Sequence, residues 1–214
     1  LGADLVGIAD GGLMDQFPPD PENPRTPSHI TEIDGARVIV LAKRISFATS
    51  RLPAWNDQHK FYGDELLISA LEELALGLVF WMEDNGAPAL MVPYHHVDPL
   101  KFTKGQDTQA THPLSAEHAA VEAGLGTLGL NHQLITPEYG PRVILGLVMT
   151  SADIEPDKKM HDALCLGPEC GRCLSACPAD AVQHWDRDWR SCDTFRSPFG
   201  FEFMSDYLTS ILTE

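Results

Sequence analysis

The chain has 214 residues, of which 43% are hydrophobic, 21% charged and 8% aromatic, a composition that excludes collagen-like, coiled-coil and wholly disordered classes. Its 15 Lys and Arg against 31 Asp and Glu give a formal net charge of −16, which disfavours nucleic acid, bound mainly through basic groups that displace counterions, and anionic lipid. The length fits one domain, or one domain with a small appendage, and can bury roughly 70% of the unfolded surface.

In chain order, Asp4 to Ala9 is a short apolar run suited to a strand and stopped by Asp10-Gly11-Gly12. Five prolines between Phe17 and Pro27 forbid a helix or central strand and predict a surface loop. Arg37 to Ala42 is a continuous β-branched and aliphatic run, the pattern of a strand buried on both faces. Asp64 to Asp84 reads as a helix, with acids at its start and Asn85-Gly86 as a left-handed stop. Apolar residues cover most of its circumference, so it is expected deep in the fold. Its apolar core, Leu66 to Met82, carries Glu72 and Glu73 and is too short and too charged to span a bilayer comfortably. Pro88 to Pro93 brackets a short strand, Ser115 to Ala123 is helical with Ser115 as N-cap, and Arg142 to Thr150 is a third strong strand. Strands alternating with helices predict an α/β or mixed α+β layer architecture. The character changes from apolar strand to polar connector near Ser151 to Lys159, so the expected domains are 1–155 and 156–214. The chain begins at Leu1 rather than Met, which reads as processed or trimmed.

Five cysteines, Cys165, Cys170, Cys173, Cys177 and Cys192, fall within 28 positions, after 164 residues with none. Disulfides of secreted proteins usually come in even numbers spread over the chain. This crowding points instead to a metal or cluster site in a reducing, cytoplasmic compartment. Bacterial ferredoxin loops read C-x2-C-x2-C-x3-C-P, with tight turns that aim thiolates at one cubane. Cys170, Cys173, Cys177 and Pro178 fit the last part of that pattern; the first cysteine would fall at Gly167, and Cys165 stands two residues earlier. A short helix is expected over Ala179 to Val182. A zinc knuckle also uses C-x2-C pairs, and unligated thiols are the third reading. The spacing favours one [4Fe–4S] cluster, with Cys170 and Cys173 the safest ligands, Cys177 and Cys192 next, and Cys165 the competitor. Two clusters would need about eight cysteines.

Gly124-Leu125-Gly126-Thr127-Leu128-Gly129 matches G-x-G-x-x-G. A dinucleotide site needs a strand before the motif and a helix after it. Here the order is reversed. The glycines fit either a helix C-terminus packed closely on a sheet or a backbone that a flat cofactor approaches.

Several segments resemble the epoxyqueuosine reductase and reductive dehalogenase superfamily: Leu1 to Ala9, Ala36 to Ala42, Ala119 to Gly126, Leu134 to Gly140, and the Cys-Gly-Arg-Cys-Leu-Ser-Ala-Cys-Pro run ending at Pro178. The resemblance implies a nitroreductase-like mixed sheet flanked by helices, with a small ferredoxin-like iron–sulfur appendage. It also implies cobalamin in the α/β domain, with flavin as the alternative, and a cluster that feeds it electrons. Gly124, Leu125, Gly126 and Gly129 would then line the corrinoid pocket, and Arg142 would meet an anionic group such as a phosphate or form an ordinary salt bridge. Epoxyqueuosine reductases carry an aspartate proton donor three residues before the proline that matches Pro113. That position is Ala110 here, with Asp107 further back and His112 beside the proline. Candidate proton donors are therefore Tyr62, His112 and Tyr139, with core packing the rival reading for Tyr62. His95 and His96 read as satisfied surface or core histidines rather than ligands of one metal. Expected partners are a ferredoxin- or flavodoxin-like electron donor and a small-molecule substrate. A charge of −16 disfavours tRNA and a membrane. The rival functions are a non-catalytic electron-transfer or corrinoid-handling protein and a zinc-stabilised binding module.

Overall fold

A computed structural model describes residues 2–51, 63, 65–93, 113–183, 186–188, 191–192 and 201–213. The chain divides into two compact units, one of Leu1–His95, Pro113–Leu128 and Gln133–Cys165, the other of His96–His112, Gly129–His132 and Leu166–Glu214.

The first unit is built on four antiparallel strands, β1 (Leu5–Asp10), β2 (Arg37–Arg44), β3 (Ala89–Val92) and β6 (Val143–Thr150), in the order β1-β2-β6-β3, with β4 (Thr127–Leu128) and β5 (Leu134–Ile135) paired as a separate ribbon. The side chains of β2 alternate between two cores, as a strand buried on both faces requires. Val38, Val40 and Ala42 join one cluster; Ile39 and Leu41 join the other. Leu145, Leu147 and Met149 of β6 go with the first, and Ile144 and Val148 with the second. Each such aliphatic side chain stabilises the fold by about 1.5–3 kcal/mol when fully buried.

Helix α1 (Gly11–Gln16) and helix α3 (Ala116–Glu122) contribute Met14, Ala116, Ala119 and Ala120 to the first cluster; helix α2 (Leu66–Asp84) contributes Leu71, Ala75, Val79 and Met82 to the second. The mixed architecture of a sheet with several helices is therefore present. α1 is absent from the sequence expectation, which took Asp10-Gly11-Gly12 only as a stop. Asp10 ends the strand and also caps the helix, its Oδ1 accepting from the Leu13 N–H at 3.1 Å, as an N-cap aspartate does.

α2 was expected to be buried all round, and it is not. Leu66, Leu76, Phe80 and Trp81 are exposed, Trp81 at 61%. A helix lying on one face of a sheet buries only the stripe that meets it, here the residues at positions 71, 75, 79 and 82. Its C-terminus follows the expected stop, with Asn85 as C-cap and Gly86 at φ +81°. Among the described residues no helix is long and apolar enough to cross a membrane.

The second unit contains helix α4 (Arg172–Ala176), the ribbon of β7 (Val182–Gln183) and β8 (Asp186–Arg187), and helix α5 (Phe201–Thr213). The helix expected over Ala179 to Val182 is instead a turn leading into β7, and the helical turn lies upstream, at α4. The backbone explains the exchange. Gly171 at φ +54° opens α4, whereas Asp180 at φ +50° breaks any helical run after Pro178, because a left-handed residue cannot sit inside a right-handed helix.

Candidate functional site

The cysteine segment is assembled from turns. The Cys170 N–H donates to the Gly167 carbonyl at 3.1 Å, Gly167 lies at φ +76°, and Cys173 sits within α4. Cys177 is the C-cap of that helix, and its Sγ accepts the Ala181 N–H at 3.3 Å. Burial pushes the Cys177 thiol up, but the backbone N–H groups of Ala181, Val182 and Ala179 outweigh it, and the net position is below the ordinary thiol range despite Asp180. Cys192 is held by a second turn: its N–H donates to the Asp188 carbonyl at 3.1 Å. The Asp188 carboxylate takes the Ser191 N–H at 3.2 Å and hydroxyl at 2.7 Å.

None of the five cysteines is in a disulfide. Cys165 closes the first unit, while Cys170, Cys173, Cys177 and Cys192 all belong to the second. Among the described residues no three His, Cys, Asp or Glu side chains gather closely enough to hold a metal ion. The donor chemistry nevertheless fits an iron–sulfur cluster, which wants thiolates and backbone N–H groups directed at sulfur. The Cys177 sulfur already accepts one such N–H.

The glycine block closes α3 with two crossed hydrogen bonds. The Gly124 N–H donates to the Val121 carbonyl at 3.1 Å and the Leu125 N–H to the Ala120 carbonyl at 3.0 Å, with Gly124 at φ +71°. This is the Schellman arrangement, in which glycine takes the left-handed position after the helix. A Cβ on Gly124 would run into the carbonyl oxygen of Lys158, and one on Gly126 into that of Ile135. At both positions the space a Cβ would need is thus taken by the chain's own backbone. Leu125 packs against the first core cluster, and Gly129 accepts the His132 N–H at 2.9 Å. Among the described residues, one recess of the first unit lies beside α2 and another between Glu117, Gln133, Pro141 and Val143.

Tyr139 and Arg142 do come to one end of the sheet. The Thr136 hydroxyl accepts the Tyr139 N–H at 3.1 Å and donates to the Gly140 carbonyl at 3.2 Å, fixing that turn. The Arg44 guanidinium carbon lies 5.7 Å from the Tyr139 ring centre, and that of Arg142 lies 5.2 Å from Phe47. Arg142 also donates from Nη1 to the Ile45 carbonyl at 2.9 Å. Tyr62, His112, His95, His96, Asp107 and Ala110 lie outside the described residues.

Sequence reasoning passed over His118. It sits on α3 one turn before Glu122, with Nε2 3.4 Å from the carboxylate, which also takes Lys159. Its Nδ1 is buried with no hydrogen-bond partner among the described residues. Burial pushes the imidazole below its ordinary 6.5; Glu122 opposes this, and Lys159 and Arg25 add to it. The His-x3-Glu spacing on an expected helix was the available signal.

No family profile matches the chain. Over 133 residues, 62% of its length, it is 36% identical to an epoxyqueuosine reductase of Gloeobacter violaceus, spanning 34% of that relative. Over 81 residues it is 38% identical to a tetrachloroethene reductive dehalogenase of Desulfitobacterium hafniense, spanning 14% of it. The chain thus spans about a third or less of these curated relatives' length. Among solved structures, an epoxyqueuosine reductase with a tRNA-Tyr stem loop superposes with a TM-score of 0.57 at 23% identity, covering 91% of this chain and 53% of that one. The catabolic reductive dehalogenase NpRdhA gives a TM-score of 0.63 at 17% identity, covering 91% and 27%. In sequence over part of its length and in fold over nine-tenths of it, this chain is similar to epoxyqueuosine reductases and reductive dehalogenases.

Proposed function

We propose that the chain is the electron-handling part of a reductase, with one [4Fe–4S] cluster held by Cys170, Cys173, Cys177 and Cys192. The observation that carries this reading is the placement of these four free thiols in one unit, with the Cys177 sulfur already accepting a backbone N–H. When bound, the cluster supplies one-electron transfer. The residues do the rest: the Gly167 and Gly171 turns set the spacing of Cys170 and Cys173, and the Asp188 carboxylate fixes the turn that presents Cys192. The thiols converge as the metal binds, since metal affinity and local folding are one equilibrium. The Leu166–Glu214 stretch of the second unit is then a ferredoxin-like segment, and the first unit is nitroreductase-like. Its electrons come from a ferredoxin- or flavodoxin-like donor and reduce a small molecule, with Tyr139 the described candidate for proton delivery.

Anaerobic purification with iron and sulfide analysis tests this. About four irons per chain, with broad visible absorption bleached by dithionite, are expected; a colourless protein with stoichiometric zinc would end the cluster reading. Iron should fall in Cys192→Ser and persist in Cys165→Ser, and the reverse result puts Cys165 in the ligand set.

The backbone packed against Gly124 and Gly126 favours a second reading, in which the chain passes electrons to a docked partner and holds no corrinoid or flavin itself. Titration of the reduced, anaerobic protein with cobalamin and with FMN decides between them. Saturable spectral change restores the cofactor-bearing reductase; its absence supports the carrier.

A further inference from the structure

In a chain of net charge −16, three arginines stack on two aromatic rings, Phe47 and Tyr139, near where β2 ends and β6 begins. Arg51 and Arg142 both stack on one ring, their Cζ atoms 5.0 Å and 5.2 Å from the centre of Phe47. Arg44 lies over the neighbouring Tyr139. Arg44 is neutralised by Asp4, with Nε 3.5 Å from its carboxylate. Among the described residues no carboxylate pairs with Arg51 or Arg142. A ring face attracts one cation by about 0.5–1 kcal/mol at an exposed site, which is little recompense for holding two like charges on the same side chain.

We propose that Arg51 and Arg142 form a binding site for a phosphate dianion, either free or as the monoester of a small molecule. Three features argue for it. The two charges, which meet no carboxylate among the described residues, match the roughly −1.5 to −2 charge of a phosphomonoester near pH 7, where a carboxylate would leave one unmatched. Arg142 is pre-oriented, because its Nη1 bond to the Ile45 carbonyl engages one of five N–H donors and leaves the others for ligand oxygens. Phe47 is 59% exposed, so the two guanidinium groups flank a surface that a ligand can reach. The site deepens the earlier anionic-group reading of Arg142 and does not depend on the iron–sulfur proposal.

Isothermal titration calorimetry of the whole chain with inorganic phosphate and with phenyl phosphate, at physiological salt, tests it. Saturable binding is expected, weakened at least ~10-fold in Arg51→Gln and in Arg142→Gln, as loss of a charge-assisted pair implies. Lys158→Gln, which makes the same change in net charge from an exposed position on the connector, should bind like the unaltered chain. Arg51 is exposed and makes no backbone bond through its side chain among the described contacts, so its variant guards against a merely unfolded Arg142→Gln. Equal affinity for both probes identifies free phosphate, and tighter phenyl phosphate identifies a monoester. Absent saturation, equal binding by Arg51→Gln, benzoate binding as tightly as phenyl phosphate, or displacement only by an RNA stem loop would each overturn the assignment. Because the readout needs no cluster or cofactor, its failure leaves the redox reading standing.

Discussion

His118 is the residue whose environment has the clearest consequence. Its folded pKa lies below 6.5 because burial penalises the cation more than Glu122 rewards it. The unfolded chain therefore binds the proton better. Stability that is complete above 6.5 is lost as pH falls through 6.5 toward the lower folded value, after which the loss levels off. Melting temperatures followed from about pH 8 to about pH 5 should fall more steeply for the unaltered chain than for His118→Gln. A histidine that gained from its ion pair would instead make the chain more stable in acid, and that result would refute the buried-neutral reading. Asp15 adds to the same slope further down. Burial raises its carboxyl, but hydrogen bonds from Thr26 and Ser28 and the nearby His29 prevail and hold it below 3.8. Its contribution is present above 3.8 and disappears as pH falls through the folded value.

At the scale of elements, two glycines should answer oppositely to the same change. Gly124→Ala forces a left-handed Cβ into the Lys158 carbonyl and should destabilise by well over ~1 kcal/mol. Gly77, on the exposed side of α2 with nothing near its missing Cβ, should gain about 0.5–1 kcal/mol as Gly77→Ala. Urea denaturation of both variants checks this, and a neutral Gly124→Ala would mean that the connector does not dock on α3. The same contrast explains what could be read in advance. β2, β6 and the end of α2 were legible because two-sided burial leaves an unbroken apolar run and a left-handed stop leaves Asn-Gly. The exposure of Phe80 and Trp81 was not legible, since composition reports how much apolar surface a helix has and not what meets it. Nor was the turn after Pro178, where the Ala181 N–H goes to the Cys177 sulfur at 3.3 Å rather than to a helical carbonyl. The cysteine run marks a candidate segment, but which sulfurs share a unit is a tertiary fact that spacing does not contain. In the glycine block, the sequence left open whether backbone or cofactor approaches the glycines, because both need the same missing side chain.

For the molecule as a whole, the charge of −16 acts on stability and on partner choice in ways that salt can separate. Self-repulsion of a strongly charged compact state is screened as the Debye length shrinks from about 30 Å at 0.01 M salt to about 8 Å at 0.15 M. The melting temperature should therefore rise over that range. Binding to tRNA by basic contacts would respond the other way, weakening steeply with salt as released counterions lose their advantage. A solved relative holds a tRNA stem loop, and the arginine cluster at Phe47 is a local exception to the acidic field. The two effects should be measured together. No saturable stem-loop binding at 0.15 M salt, as expected near-neutral conditions of about physiological ionic strength, with a melting temperature that still rises with salt, fits an acidic electron-handling protein whose basic site takes a small anion. Tight, salt-sensitive tRNA binding lost in Arg51→Gln would show instead that a local patch overrides the net field.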